Sequence, residues 1–244
     1  MVTRQLIGGI TTARSKLASW QFGQLAASFV LLLFLLPLLE HGLLVKGIAS
    51  LFVLNSLLVA ISSNPHARAV RWAGWFLWGL AAVLNIVEEI HVNEALTFAS
   101  KCIAVASHTV LLMLCAAAIL GVVFRAQRIT LDGILASIVA YQLIGLVFAQ
   151  IYGLSLAVDP TSLHLPDGVS THAGDLQVEM IYFSFVTLAT LGYGDILPVT
   201  NAMRSVTIVE AVVGQFYVAV IVALLVSDFV AQRMQVRIDE TRSE

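Results

Sequence analysis

Apolar positions in this chain come in long blocks, with little alternation. Runs near twenty residues, the length that carries a helix across a bilayer, fall at about 23–40, 43–62, 72–90, 99–124, 131–155 and 201–230. The pattern predicts six crossing helices. A seventh apolar run, at about 178–189, is too short: roughly 12 residues rise only about 18 Å as a helix. An apolar helix that enters a membrane without crossing it must end among protein or in a water-filled cavity. This run therefore predicts a re-entrant element. Before residue 23, Leu6, Ile10, Leu17 and Trp20 recur near helical spacing with Arg14 and Lys16 between them. That segment, 1–22, reads as an amphipathic helix on the inner leaflet, or, because of Gly8 and Gly9, as an unstructured start.

Composition narrows the class. Of 244 residues 59% are hydrophobic and 11% charged, where a soluble domain carries about a quarter charged residues. A cytosolic globular enzyme is excluded, and a net charge of −2 leaves no nucleic-acid footprint. Cys102 and Cys115 share one apolar run, which excludes a disulfide scaffold. Threading the chain with both termini inside puts Arg4, Arg14, Lys16, Arg68, Arg71, Arg125, Arg128, Arg233, Arg237 and Arg242 in cytoplasmic segments, ten of the 13 basic residues. Only Lys46, Lys101 and Arg204 fall elsewhere. This bias orients membrane helices and predicts a multi-pass cell-membrane protein with cytoplasmic N and C termini. Reading the basic head as a signal peptide would leave five spans and fit the bias no better. No titratable pair has the spacing of an acid–base couple, so neither an enzyme nor a cofactor is expected.

The chemistry concentrates in Val178–Pro198, VEMIYFSFVTLATLGYGDILP. A short apolar helix ends near Thr190 and Leu191-Gly192-Tyr193-Gly194-Asp195 follow. An extended strand turns successive carbonyls to opposite sides. Aiming consecutive carbonyls at one axis needs left-handed backbone angles at alternate residues, which glycine adopts without steric cost. Gly192 and Gly194 are spaced for that, and Thr190 adds a hydroxyl one step below. Four copies around an axis would stack rings of oxygen able to replace a cation's water shell. The helix preceding the loop would aim its partially negative C-terminal end at the same place.

At these residues the chain resembles the selectivity filter of tetrameric potassium channels, whose carbonyl rings replace the hydration shell of the ion. The resemblance implies an all-α integral membrane fold. It comprises six transmembrane helices, a re-entrant pore helix and an extended filter, repeated four times about a fourfold axis in a homotetramer within the lipid bilayer. It assigns K+ coordination to Thr190, Leu191, Gly192 and Tyr193, with Gly194 and Asp195 capping the filter and Tyr193 packing outward to brace it. Leu191 departs from the Val more usual in the family. Tyr182 stands where relatives often carry a Trp bonded to the Asp after the filter. A Tyr182–Asp195 hydrogen bond is thus implied, with packing of Tyr182 on a neighbouring helix as the plainer reading. Val186 occupies a position where some relatives bury a Glu, and Pro198 closes the outer loop.

The last helix extends the likeness. Gly214 lies 20 residues after Gly194, where many potassium channels carry a flexible glycine. A glycine inside a helix costs about 1 kcal/mol relative to Ala. It reads as a gating hinge, or as a site of close packing on the pore helix. Val218, Val222, Val226 and Val230 recur every fourth residue, as either a hydrophobic gate or ordinary packing. Asp228 reads as a ring of carboxylates at the inner mouth or as a solvated helix end. Glu210, in the outer half of this helix, is costly unless paired, and no partner follows from the sequence.

Residues 23–126 read as a four-helix transmembrane domain without voltage-sensor charges, 127–232 as the pore domain and 233–244 as a cytoplasmic tail. Between Lys101 and Arg125 the fourth span has no basic residue, whereas voltage sensing needs several charges moving through the field. Arg125–Thr130 leaves little room for a lever helix. His108, Asn55 and Asn85 read as hydrogen-bonding spacers, and Trp72, Trp75 and Trp78 as an interfacial belt. Glu88, Glu89, His91 and Glu94 form an acidic cluster that reads as a solvated loop, or as a sensor of protons or divalent cations. The outer loop, 156–177, holds His164, His172, Asp159, Asp167 and Asp175 without Lys or Arg. Such a vestibule would concentrate cations, with a metal site at the two His as the lesser reading. No cytosolic ligand-binding module is expected. The chain thus reads as a channel for passive K+ permeation. A less selective cation channel and a membrane subunit of a potassium uptake system are the alternatives.

Overall fold

The computed structural model describes residues 21–33, 35, 42–63, 68–90, 94–125, 131–166 and 173–243. The expected amphipathic head before Gln21 and the connection at 126–130 lie outside the described residues. The described residues are helical almost throughout: α1 Gln21–Leu33, α2 Gly42–Ser63, α3 Arg68–Ile90, α4 Glu94–Arg125, α5 Leu131–Val158, α6 Ala173–Leu188 and α7 Asn201–Ser243. A two-residue antiparallel ladder, β1 Leu163–His164 with β2 Leu197–Pro198, pairs Leu163 with Pro198 and His164 with Leu197. Ser162 O also accepts from Val199 N at 3.0 Å, so the segment leaving α5 is clipped to the one entering α7.

Local chemistry sets the helix ends. Asp132 lies in the first turn of α5, where a negative charge complements the helix dipole. Thr200 Oγ1 accepts from Met203 N at 3.3 Å and caps α7. Three helical stretches among the described residues are long and apolar enough to cross a membrane: Phe98–Phe124, Leu131–Val158 and Asn201–Leu224. The protein is therefore an all-helical membrane protein. The other expected crossings are not among these three stretches. The described part of α1 and the apolar stretch of α2, Ser50–Ser62, are short, while α3 dilutes its apolar residues with Arg68, Arg71 and a Glu88-Glu89 pair. The last helix is longer than its apolar run predicts. It does not stop near 230 but continues through the stretch read as a tail, for 43 residues, or about 64 Å.

One apolar core joins the elements. In a bilayer, helices associate through van der Waals packing and close backbone approach rather than by escaping water, so ring size and small residues decide the contacts. Phe29 of α1 sits between Phe52 of α2, 5.5 Å away by ring centroids, and Phe185 of α6, 5.3 Å away. The Phe185 ring in turn lies over Gly145 of α5, where a Cβ would stand 2.6 Å from Cζ. Buried Ala136, Val139, Ala140 and Leu143 on α5 and Leu111, Leu112, Cys115 and Ile119 on α4 belong to the same core.

Gly145→Ala is expected to destabilise the protein by about 1–3 kcal/mol, the range for overpacking, because the added carbon meets an aromatic ring. Gly153→Ala, with nothing within 4 Å of the added carbon, is expected to be neutral or to stabilise by up to about 1 kcal/mol through helix propensity. Thermal unfolding of the two variants in one detergent compares them.

Candidate functional site

The site is built where α6 ends. Ala189 N still bonds Phe185 O at 3.0 Å, and Thr190 N turns to Thr187 O at 2.9 Å. The chain then folds under the helix end, so that Leu191 N reaches Val186 O at 2.8 Å and Gly192 N the same oxygen at 3.3 Å. Tyr141 Oη of α5 donates to Leu188 O at 3.1 Å. From the other side α7 comes so close at Gly214 that a Cβ there would collide with Leu188 O and lie 3.0 Å from the Leu188 carbonyl carbon. Of the two readings of Gly214, close packing has a direct structural cause.

Past the helix end the backbone alternates. Thr190, Gly192 and Gly194 have φ of 57°, 59° and 81°, with Leu191 and Tyr193 between them on the ordinary side. The two glycines take this conformation freely. For the β-branched Thr190 it is strained, at a cost of order 1–3 kcal/mol. The amides of Thr190, Leu191 and Gly192 are turned back to the helix, whereas among the described residues no donor reaches the carbonyls of Thr190, Leu191, Gly192 and Tyr193. Residues 189–195 are exposed on the single chain.

Two aromatic side chains steady the outer part of the loop. Tyr182 Oη donates to Asp195 Oδ2 at 2.7 Å, and Asp195 Oδ1 accepts from Ile196 N at 3.1 Å. The Tyr182 and Tyr193 rings stack with centroids 6.5 Å apart and planes 12° apart. The bond from Tyr182 holds the Asp195 carboxyl below its ordinary value, and the same bond pushes the Tyr182 hydroxyl up to about 12. Both shifts favour a neutral phenol donating to a carboxylate.

Behind the loop lies a polar contact that the sequence did not announce. Glu210 of α7 is fully buried. Its Oε2 accepts from Tyr152 Oη of α5 at 2.5 Å, and its Oε1 lies 2.5 Å from Ser184 Oγ of α6. Ser184 Oγ is also 2.7 Å from Gly145 O. The three residues come from three helices, separated in sequence by 58 and 26 positions, so no local spacing could have joined them. The one available signal was a carboxylate in an apolar helix.

The remaining sequence candidates stand apart from this cluster. Val186 is buried in α6, while Val218, Val222, Val226 and Val230 are exposed along α7. His108 is partly buried in α4, its Nε2 among the polar atoms without a partner. Asn55 is half-buried, Trp72 and Trp75 are exposed, and Trp75 meets Trp78 edge to face at 6.2 Å. His164 is exposed on β1. His91, Asp167 and His172 lie outside the described residues, as do the side chains of Asn85, Glu88, Glu89, Glu94, Asp175 and Asp228. No group of three metal-ligating side chains occurs among the described residues.

Because the Asp195 carboxyl is held below its ordinary value, the bond's contribution is present above about pH 3.9, the unperturbed value. It is lost as pH falls through the lower folded value. Tyr182→Phe is expected to move the Asp195 titration upward, toward the unperturbed value. A carbon-detected NMR titration of labelled aspartate measures it, and an unmoved midpoint would count against the bond.

Comparison with known proteins bears on the same region. Protein LctB of Bacillus caldotenax is 33% identical over 105 residues, covering 42% of this chain and 77% of that protein. No solved structure matches. Residues 137–231, from the first third of α5 to the last third of α7, match the model of an ion-channel family, and the chain belongs to that family of ion channels.

Proposed function

We propose that the protein is a potassium-selective channel in which four copies bring their 190–194 loops together around one axis. The observation that carries this reading is the orientation of the loop backbone. The amides of Thr190, Leu191 and Gly192 are spent on the end of α6 while the carbonyls of 190–193 have no donor among the described residues, and left-handed residues alternate through the loop. Consecutive oxygens freed in this way suit a dehydrated cation. α6 acts as the pore helix, its C-terminal end lending partial negative charge. Gly194 and Asp195 cap the filter, and Tyr182 and Tyr193 brace it.

Assembly is supported by α7, which leaves Val209, Val212, Phe216 and Val220 exposed on the single chain, surface for lipid and for neighbouring copies. Six crossings, with α1–α4 around the pore module and both termini cytoplasmic, complete the proposed topology. Permeation is passive and uses no cofactor beyond the permeant ion. Lys101 and Arg125 are the only basic residues of α4, which supports weak voltage dependence. The inner-helix valines Val218, Val222 and Val226 are proposed as a hydrophobic constriction and Gly214 as the point about which α7 bends.

Reversal potentials of the purified protein in planar bilayers with opposed potassium and sodium solutions test the reading. Potassium over sodium selectivity is expected; equal permeation of the two ions by the unmodified protein would falsify it. Gly192→Ala places a Cβ on a left-handed residue at about 1–2 kcal/mol per subunit and is expected to abolish selectivity. Tyr193→Ala, which removes the ring stacked on Tyr182, is expected to do the same.

A further inference from the structure

Glu210 is the one acidic side chain buried among the described residues, and nothing in the permeation path uses it. Its surroundings fix its protonation state by a count of hydrogens. Three oxygen–oxygen contacts run in line: Tyr152 Oη to Glu210 Oε2 at 2.5 Å, Glu210 Oε1 to Ser184 Oγ at 2.5 Å, and Ser184 Oγ to Gly145 O at 2.7 Å. Each contact at such a distance needs a hydrogen between its oxygens. Tyr152 and Ser184 bring one each and the Gly145 carbonyl brings none. Thr207, 3.4 Å from Tyr152 Oη, gives its own hydrogen to Met203 O at 2.8 Å. The missing hydrogen has one place left, the carboxyl of Glu210.

We infer that Glu210 is a neutral carboxylic acid in the folded protein, donating to Ser184 while accepting from Tyr152, and that it is the positioning residue that holds α6 against α5 and α7. Donation then runs Tyr152 to Glu210 to Ser184 to Gly145 O, with every oxygen correctly paired. An ionised Glu210 would draw the Ser184 hydrogen to itself and leave two lone-pair oxygens facing each other at the Gly145 contact. It would also be a buried charge with no cation beside it, which proteins avoid. The groups that face it are Tyr152 and, within electrostatic reach, Tyr141 from α5; Ser184 from α6; and Thr207 from its own helix. None of them is basic.

The functional consequence rests on the reading of the 190–194 loop as the filter, since the clamp grips α6 at Ser184, six residues before that loop; the protonation state does not. Infrared difference spectroscopy of the unmodified protein against Glu210→Gln, in lipid at neutral pH, reads the acid directly. Loss of a protonated-carboxyl band in the variant is expected. A difference spectrum showing only carboxylate bands overturns the inference. Gln reproduces the neutral acid, its amide N–H donating to Ser184 and its oxygen accepting from Tyr152, so Glu210→Gln is expected to keep the parent's potassium-to-sodium permeability ratio. Glu210→Ala and Ser184→Ala are expected to lower that ratio about tenfold, the scale of one buried hydroxyl left unpaired. If Glu210→Gln falls with them, the charge is what matters and the inference fails. Should the alanine variants not fold, the infrared band and the Gln variant decide alone. Equal permeation of both ions by the unmodified protein, with the band present, removes the selectivity reading and leaves the neutral acid standing.

Discussion

The last four carbonyls of a helix have no partner within it, and for α6 every one of them is satisfied by a different device. Phe185 O takes the next amide of the helix, Thr187 O takes Thr190 N in a tighter turn, Val186 O takes both Leu191 N and Gly192 N, and Leu188 O takes the hydroxyl of Tyr141. The loop depends on this arrangement. Turning Leu191 N and Gly192 N back under the helix forces the chain through left-handed angles on either side of Leu191. The same turn leaves the loop's own carbonyls without a donor among the described residues. Free oxygens at 190–193 are thus the consequence of how a helix end is sealed, and the glycines are what make the seal compatible with a continuing chain.

Sealing the helix end would be of little use if α6 were free to slide. Its length is held by α5 and α7 through contacts of three kinds. An aromatic contact, Phe185 over Gly145, admits no extra carbon; a polar one, Ser184 with Glu210, has a direction; and a steric one, Leu188 against Gly214, sets the approach of α7. On α7 the participating residues are Met203, Thr207, Glu210, Gly214 and Tyr217, spaced four, three, four and three apart. That is one face of a helix. Tyr217 completes the stripe by donating to Ser137 O at 2.6 Å. The rest of α7 is left for the bilayer or for other chains.

What could be read from the sequence follows from how local each feature is. The length of the seventh apolar run, the left-handed conformation of Gly192 and Gly194 and the Tyr182–Asp195 bond each depend on residues within about a dozen positions, and each was legible. Thr190 was expected to contribute a hydroxyl, not a left-handed backbone; a β-branched residue gives no hint that its neighbours will force it there. The valine repeat at 218, 222, 226 and 230 is conspicuous in the sequence yet lies on exposed surface, while the irregular stripe that does bind α7 mixes Met, Thr, Glu, Gly and Tyr and has no compositional signature. The partners of Glu210 sit on two other helices, beyond the reach of any spacing argument. Crossings are less local still, because hydropathy measures a run's average and α3 carries charged residues within its own bounds.

The place of α1 to α4 follows from the same contacts. Lys101, near the start of α4, is its one Lys or Arg before Arg125 at the other end, and moving one charge across the membrane field is worth only about 2.3 kcal/mol per 100 mV. One such charge offers little leverage. The structure instead offers a continuous apolar path: Phe52 of α2 touches Phe29 of α1, Phe29 touches Phe185 of α6, and Phe185 fills the space over Gly145 beside Ser184. Close-packed side chains do not deform smoothly. A displacement of α1 or α2 is therefore delivered to α6 through rings already in contact, one residue from the group that ties α6 to α7. A second path runs from α4 into α5, on which it packs and whose Tyr141 bonds Leu188 O at the end of α6.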